Sequence, residues 1–525
     1  MLNSNKQQDP HQFVQGILKD LKIDTSHSEQ SQAETDYWLS NTGLDDTKLT
    51  DLTDIPFVTI DNEDSKDLDQ ALYISETKSG YQVLYALADA AYYIRPGSAL
   101  FTEALQRGTT FYTPLMAAAM LPTPLSEGLI SLNPNVHRRA LVFDMQLGSD
   151  AAVLSCSIVR AKMCSQAKLN YPGVQHWLDT TSDNTEPYHQ SLRLLKEVGE
   201  KLIIAGEQRG IVGFNRTATH IELEGQPPQF RVTVRERVAT ERYNEQMSLI
   251  CNMQGAQMLL GLSGITDVLQ AVYRVHEAPL KKSLKQLKST LNEFADSFSD
   301  RDDAAKWHWH EGQSLADYVA KLPTEPEHQR QVGAIQRQIM QAQRGSRFTP
   351  EPGEHHALKA SSYARFSSPM REVVGIFTHK ELLEALDGNH LNDAADHQLR
   401  EQVIEAANSA RQKQRQLDKK IQLATLQRIF LAELDVQQPH WHQGTIMGLR
   451  TDKLYVQLDD MALDIKIYVD DLNETFNTEY TVGNTKAKAS DPLAPSWVLG
   501  DGVQLSVQAY DEARSRFVFD LRALT

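Results

Sequence analysis

No stretch of this chain approaches the roughly 18 consecutive apolar residues that a membrane span requires, so no transmembrane helix is expected. Cysteine is scarce. Cys156, Cys164 and Cys251 lack the close spacing of metal-holding pairs, and free, buried thiols are the expectation. The opening residues, MLNSNKQQDPHQ, are polar and carry no apolar core of a secretory signal, which points to a cytoplasmic location. Positive charge is also in short supply, with 53 Lys+Arg against 69 Asp+Glu and a formal net charge of -16. That balance argues against a protein that coats nucleic acid through many phosphate contacts. The excess is uneven, however: residues 1–70 hold 15 Asp+Glu and 5 Lys+Arg. A narrow path for a single strand needs positive charge only along its wall. With 525 residues and 41% hydrophobic content, the chain has material for roughly three or four domains.

What the sequence does have is concentrated at residues 61–70, DNEDSKDLDQ. An apolar run, Ile55-Pro56-Phe57-Val58-Thr59-Ile60, precedes it and reads as a strand entering a loop. Asp61, Asp67 and Asp69 follow at spacings of six and two, with Glu63 and Asp64 between them. Carboxylates this crowded repel one another unless a cation or a bound proton relieves them. Mg2+ is a hard ion that takes oxygen ligands and often uses one or two carboxylates plus a substrate phosphate. Such a loop at a strand end suits phosphoryl transfer. An acidic surface turn would carry the same residues, so the loop alone leaves both readings open. An EF-hand does not fit, because Lys66 stands where its glycine belongs and Leu72 where its glutamate belongs.

The stretch DLTDIPFVTIDNEDSKDLDQAL (51–72) resembles the signature of the ribonuclease II / ribonuclease R family of 3′→5′ exoribonucleases. In that family a strand ends in T-I-D and a D-x-D-D follows six residues later. Asp61, Asp67 and Asp69 match, and Gln70 stands in place of the fourth acid. Further blocks follow in the family's order. RGTTFYTP…MLPTPLSEGLISLNP (107–134) puts Tyr112 on an aromatic that stacks on a base in relatives. Stacking suits an enzyme blind to sequence, since every base has a π-face. SQAKLNYPGV (165–174) puts Tyr171 on the position that reads the ribose, and RGIVGFN (209–215) puts Phe214 on a base-stacking clamp. Within RYNEQMSLICN (242–252), the family's two adjacent glutamates fall on Asn244 and Glu245, so one is replaced; one of that pair works with the ribose-reading tyrosine in relatives. The 2′-hydroxyl is the group that separates RNA from DNA. EPGEHHALKASSYARFSSPMRE (351–372) brings Arg371 onto the family's catalytic arginine, while Val373 and Gly375 replace an expected Tyr and Asp. Arg274, His276 and His379 match family positions read as structural.

The resemblance implies a multidomain α/β (α+β) protein. An N-terminal segment, partly helical, covers 1–50, and about fifty residues cannot hold the pair of cold-shock barrels that opens many relatives. An RNB-type catalytic domain over 51–390 is completed by a helical tract over 391–438. The short-strand pattern of 439–525 resembles a five-stranded OB-fold barrel of the kind that binds oligonucleotides. Its 8 Lys+Arg against 13 Asp+Glu over 441–525 fit a purely structural barrel equally well. The implied activity is hydrolysis of single-stranded RNA to 5′-mononucleotides by a water activated with Mg2+ or Mn2+, in a monomer. Asp61, Asp69 and the Gln70 carbonyl are the expected metal ligands. Asp69, Asp67 and Arg371 are the expected catalytic groups, and Tyr112, Tyr171, Phe214 and Glu245 the RNA contacts. Two alternatives stay open: a catalytically silent RNA-binding protein of the same fold, and a phosphodiesterase of short oligonucleotides.

Overall fold

The computed structural model describes residues 9–524 except 181–184, 215–216, 227–228, 264–268, 299–300 and 389–392. Five strands form a closed barrel: β1 (Thr50–Asp61), β2 (Gln70–Thr77), β3 (Gly80–Ala88), β4 (His137–Gly148) and β5 (Val153–Asn170). Neighbours run antiparallel from β1 through β5, and the closing pair, β1 with β5, is parallel. Alternation along β3 shows how the sequence builds it. Tyr81, Val83, Tyr85 and Leu87 enter one apolar cluster, while Leu84, Ala86 and Ala88 enter another. A strand sends successive side chains to opposite faces, so apolar residues at every position mean that both faces are covered.

Two sets of helices cover them. On one side lie α1 (Tyr171–Thr180), α2 (His189–Gln208) and α3 (Ala239–Ser263). The other side carries the helix Ala99–Arg107 and α4 (Val373–Asp387). Gly255 on α3 is a point of close approach: a Cβ there would lie 2.3 Å from the Phe366 ring, which packs against the helix. Helix α5 (Asp393–Glu433), about 60 Å long at the α-helical rise, ties the molecule together. Its Val403 and Ala407 join the core beneath the barrel, Ala410, Leu417 and Ile421 meet the N-terminal helix, and Leu426 and Phe430 enter the C-terminal core.

The C-terminal region holds β6 (His442–Arg450), β7 (Lys453–Leu458), β8 (Asp464–Tyr468), β9 (Gly502–Asp511) and β10 (Arg516–Ala523) in one antiparallel sheet of order β8-β7-β6-β9-β10. With the helix Val469–Phe476 after its third strand, this is the OB arrangement of a partly open barrel. Arg516 on β10 spans the opening, its guanidinium 4.0 Å from the Tyr468 ring centre and its Nη2 2.6 Å from Asp471 Oδ1. Helices Lys281–Ala295 and Gln329–Ala342 share this core.

The first helix of the partly helical N-terminal segment spans Pro10–Asp20. A second, Glu29–Ser40, arises from a stretch that reads only as polar; Glu34 fastens it by accepting the Ala99 and Leu100 N–H groups at 2.9 Å each. β3 ends at Ala88, and the chain turns into the helix Ala90–Tyr93. The run LDIKIYVDDL likewise turns helical at Val469. Among the described residues, no helix is long and apolar enough to cross a membrane.

Candidate active site

Barrel register gathers the site at one end. β1 stops at Asp61 and β2 begins at Gln70, so the acidic loop spans the mouth between them. The parallel β1–β5 pairing sets Asp61 opposite Asn170, and Tyr171 is the next residue. The loop is pinned rather than loose. Ser131, from the SLNP string, accepts the Leu68 N–H at 2.9 Å and donates its hydroxyl to the Lys66 carbonyl at 2.7 Å. Lys168 Nζ donates to the Glu63 carbonyl at 2.8 Å, and the Ala88 N–H to that of Asp69 at 2.9 Å.

Asp69 is 2% exposed. Its Oδ1 accepts the Met370 N–H at 2.9 Å and its Oδ2 the Arg371 Nε–H at 2.5 Å. Burial lifts its carboxyl to about 6, against the opposing pull of Arg371 and the Met370 N–H. Burial also raises Asp67; the charge of Arg371 opposes that rise and the charge of Asp61 adds to it. Desolvation alone would lower the Arg371 pKa, yet Asp69, Tyr112, Asp67 and Asp61 outweigh it and hold the guanidinium firmly charged. The three acids supply oxygen ligands of the kind a hard divalent ion takes, but their carboxylate oxygens do not all lie within 4.8 Å of one another, so an ion would have to draw them together.

Tyr112 is 47% exposed, and its hydroxyl reaches Asp67 Oδ2 at 3.3 Å. Its backbone is held from α5, where Gln414 Oε1 accepts the Tyr112 N–H at 3.3 Å while Gln414 Nε2 donates to Asp418 at 2.6 Å. Asp418 thus steadies the residue that steadies Tyr112. Tyr171 accepts a hydrogen bond from Asn244 Nδ2 at 3.2 Å, and burial with the nearby Asp61 charge pushes its hydroxyl up to about 12. It therefore stays protonated and able to donate.

The structure places three more of the expected site residues. Glu245 is not the partner of Tyr171; it points to Arg237, whose Nη2 lies 3.1 Å away, and Asn244 takes the inward position. Phe214 is half-buried against the core shared by the C-terminal sheet and its helices. Gln70 does not offer its carbonyl to the loop. That oxygen faces the Tyr85 hydroxyl and, at 3.1 Å, Ser248 Oγ, while its amide donates to the Ser367 carbonyl. Tyr85 Oη and Ser248 Oγ also lie 2.6 Å apart, so one hydroxyl donates to the other and one to Gln70, whose carbonyl faces this interior pair.

Sequence reasoning missed the residues that hold the Arg371 segment. Asn252 on α3 accepts the Phe366 and Ser367 N–H groups at 2.7 and 3.1 Å and donates to Tyr363 and Ser367 hydroxyls. His379, fully buried on α4, meets the Phe366 carbonyl at 2.9 Å, in keeping with a structural role. Gly375 explains another departure. A Cβ there would lie 3.0 Å from Pro369 Cα and 3.2 Å from the Ser368 carbonyl, so an aspartate would require this segment to give by a few tenths of an ångström.

Residues 49–388 match the RNB domain. The chain is 26% identical over 483 residues to Ribonuclease R of Escherichia coli (strain K12), covering 90% of this chain and 57% of that protein. It thus spans little more than half the length of that relative. Among solved structures, RNase R of Mycoplasma genitalium in complex with ribose-methylated single-stranded RNA superposes with a TM-score of 0.84 at 20% identity, over 98% of this chain and 78% of that one. Yeast Ssd1, described as a pseudonuclease, gives 0.64 at 14% identity, over 95% and 58%. At such identities these structures establish the fold alone. The chain belongs to the RNB-domain family of the ribonuclease R / ribonuclease II exoribonucleases.

Proposed function

We propose that this protein is a metal-dependent 3′→5′ exoribonuclease that removes 5′-mononucleotides from single-stranded RNA. The observation that carries this reading is the meeting of Asp61, Asp67 and Asp69 with Arg371 at the barrel mouth, flanked by Tyr112 and Tyr171. Asp61, Asp67 and Asp69 would hold Mg2+ or Mn2+, which when bound makes water a stronger nucleophile and offsets charge on phosphate oxygens. Arg371 would grip the scissile phosphate through two oxygens as charge builds there. Tyr112 would stack on a base, and Tyr171, oriented by Asn244, would donate to the terminal ribose. A path that admits a single strand would be blocked by duplex, so duplex should stop the enzyme.

The Gln70 network supports a second reading, a silent RNA-binding protein, because one expected anionic ligand is replaced by a side chain facing away from the loop. Incubating the purified protein with 5′-labelled single-stranded RNA and matched DNA, with Mg2+ or Mn2+, separates the two. A descending RNA ladder, or direct appearance of a short end product, supports the exonuclease. Intact RNA that shifts on a native gel supports the silent binder. Products that form only from very short oligonucleotides would favour a short-substrate phosphodiesterase.

A further inference from the structure

We infer that Glu433, His440 and His442 form a binding site for one transition-metal ion of the zinc class, at the joint between α5 and the C-terminal sheet. Glu433 is the last residue of α5, and His442 the first of β6. One ligand atom from each of the three lies within 4.8 Å of the others. His442 Nε2 and Glu433 Oε1 are 2.8 Å apart, and the rings of His440 and His442 are 4.5 Å apart between centroids.

The second observation is what these groups leave unpaired. The His442 side chain is 1% exposed, yet its Nδ1 and the Glu433 Oε2 are buried and find no hydrogen-bond partner among the described residues. Asp460 Oδ2, on the β7–β8 turn, faces that Nδ1 from 3.9 Å, beyond hydrogen-bond reach. Buried polar atoms without partners are rare, and an ion is one of their standard explanations. Re-aiming the histidine and carboxylate onto a shared cation would use atoms now idle.

Two imidazoles and one carboxylate suit Zn2+ and disfavour Mg2+ or Ca2+, which prefer all-oxygen shells. Asp460, exposed and adjacent, or water would complete a tetrahedron. The connecting residue is fixed as well: Arg522 of β10 lies over the Trp441 ring, 3.9 Å from its centre. The only other such cluster among the described residues, Glu381, Glu384 and Asp396, already holds a cation, since Lys380 Nζ lies 2.8, 2.8 and 2.9 Å from its carboxylates. An ion at 433–442 would clamp the end of α5 to the first C-terminal strand and so fix the angle of the C-terminal sheet to the catalytic part.

The test uses the full chain, stripped of metal and held in excess Mg2+ so that the acidic loop does not compete. Zn2+ is titrated against a chromophoric chelator, and the loaded protein is studied by X-ray absorption. One Zn2+ per chain is expected, with a shell of nitrogen and oxygen at about 2.0–2.1 Å, imidazole scattering, and a raised Tm. His440 is exposed, so His440→Ala should fold normally and lose affinity by about 100-fold or more, since even outer-shell changes cost 10–100-fold. Asp69→Asn should bind Zn2+ unchanged. Absence of saturable binding, equal affinity in His440→Ala, or loss in Asp69→Asn would each overturn the assignment.

Discussion

Arg371 donates its Nε–H to Asp69 Oδ2 at 2.5 Å, and the other oxygen of that carboxylate takes the neighbouring Met370 N–H. The two charged residues are 302 positions apart and meet because β2 starts at the barrel end where α4 begins its run. In the proposed reaction a phosphate competes with Asp69 for the guanidinium, and a divalent ion competes with Arg371 for the carboxylate. The pair is thus a resting arrangement that substrate and metal together take apart.

That competition gives a pH signature. With Asp69 lifted to about 6 by burial, kcat/KM for single-stranded RNA should rise with pH through a midpoint near that value at low Mg2+. Raising Mg2+ should move the midpoint down, because a cation favours the ionised carboxyl. A profile that ignores Mg2+ would remove Asp69 from the metal shell. Stability runs with the opposite sign. A carboxyl whose folded pKa lies above its ordinary 3.8 holds its proton more tightly when folded, so its contribution falls as pH climbs from 3.8 to about 6 and stays low above. Asp69→Asn should therefore raise Tm more at about pH 7.5 than at about pH 4, while cutting kcat by at least about 10²-fold and leaving RNA binding in place.

Tyr112 offers a cleaner separation of binding from folding, because nearly half of it is exposed. Tyr112→Ala should weaken single-stranded RNA binding by about 5- to 150-fold, the value of one base stack, with little change in Tm. Tyr112→Phe keeps the ring and loses only the 3.3 Å contact to Asp67. It should bind within about 5-fold of the parent. Equal losses in both variants would show that the hydroxyl, not stacking, carries the contact.

How much of this was legible in the sequence follows from what each residue answers to. The acidic loop, Tyr112, Tyr171 and Arg371 could be found because their spacing and flanking strings are local. The end of β1 could be found because its apolar run stops at Asp61. Gln70 could not be read locally. Whether its carbonyl turns to the loop or to the interior depends on Tyr85, Ser248 and Ser367, which come from β3, α3 and the segment before α4. Which of Asn244 and Glu245 faces Tyr171 is likewise not a local matter: helical phase decides it, and neighbours on a helix point about 100° apart. The helix Glu29–Ser40 has no strong apolar stripe and owes its place to docking through Glu34.

The Tyr171–Asn244 contact predicts sugar selectivity. With Asn244 donating to its oxygen, the Tyr171 hydroxyl hydrogen is directed elsewhere, toward an acceptor such as a 2′-hydroxyl. Tyr171→Phe should lower kcat/KM on RNA by about 5- to 10-fold, the worth of one hydrogen bond, and leave the slower DNA reaction nearly unchanged. Asn244→Ala should move the RNA-to-DNA ratio in the same direction by less, whereas Glu245→Ala should not move it. A ratio unaffected by Tyr171→Phe would assign discrimination to another group.

Gln70 and Gly375 are two of the positions where the chain departs from its family, and both bear on the same segment, Ser367–Pro369. Gly375 lets α4 lie against Ser368 and Pro369, and the Ser367 carbonyl just upstream takes the Gln70 amide. An aspartate at 70 would be one methylene shorter and would present an acceptor, not a donor, to that carbonyl. Restoring the family acid should therefore cost about 1–3 kcal/mol for the unpaired Ser367 oxygen and should not lower the Mg2+ requirement. Gln70→Ala tests the same point without adding charge. It should lose a similar amount of stability, because one hydroxyl of the Tyr85–Ser248 pair loses its acceptor and the Ser367 carbonyl its donor, while the Mg2+ concentration for half-maximal activity stays within about 3-fold. A large increase in that concentration would put Gln70 in the metal shell after all. Gly375→Asp alone should destabilise by about 1–3 kcal/mol through the 3.0 Å approach to Pro369 Cα. If Gln70→Asp and Gly375→Asp together proved less costly than the sum of the two, the segment between them would be the element that moved when this chain left the family pattern.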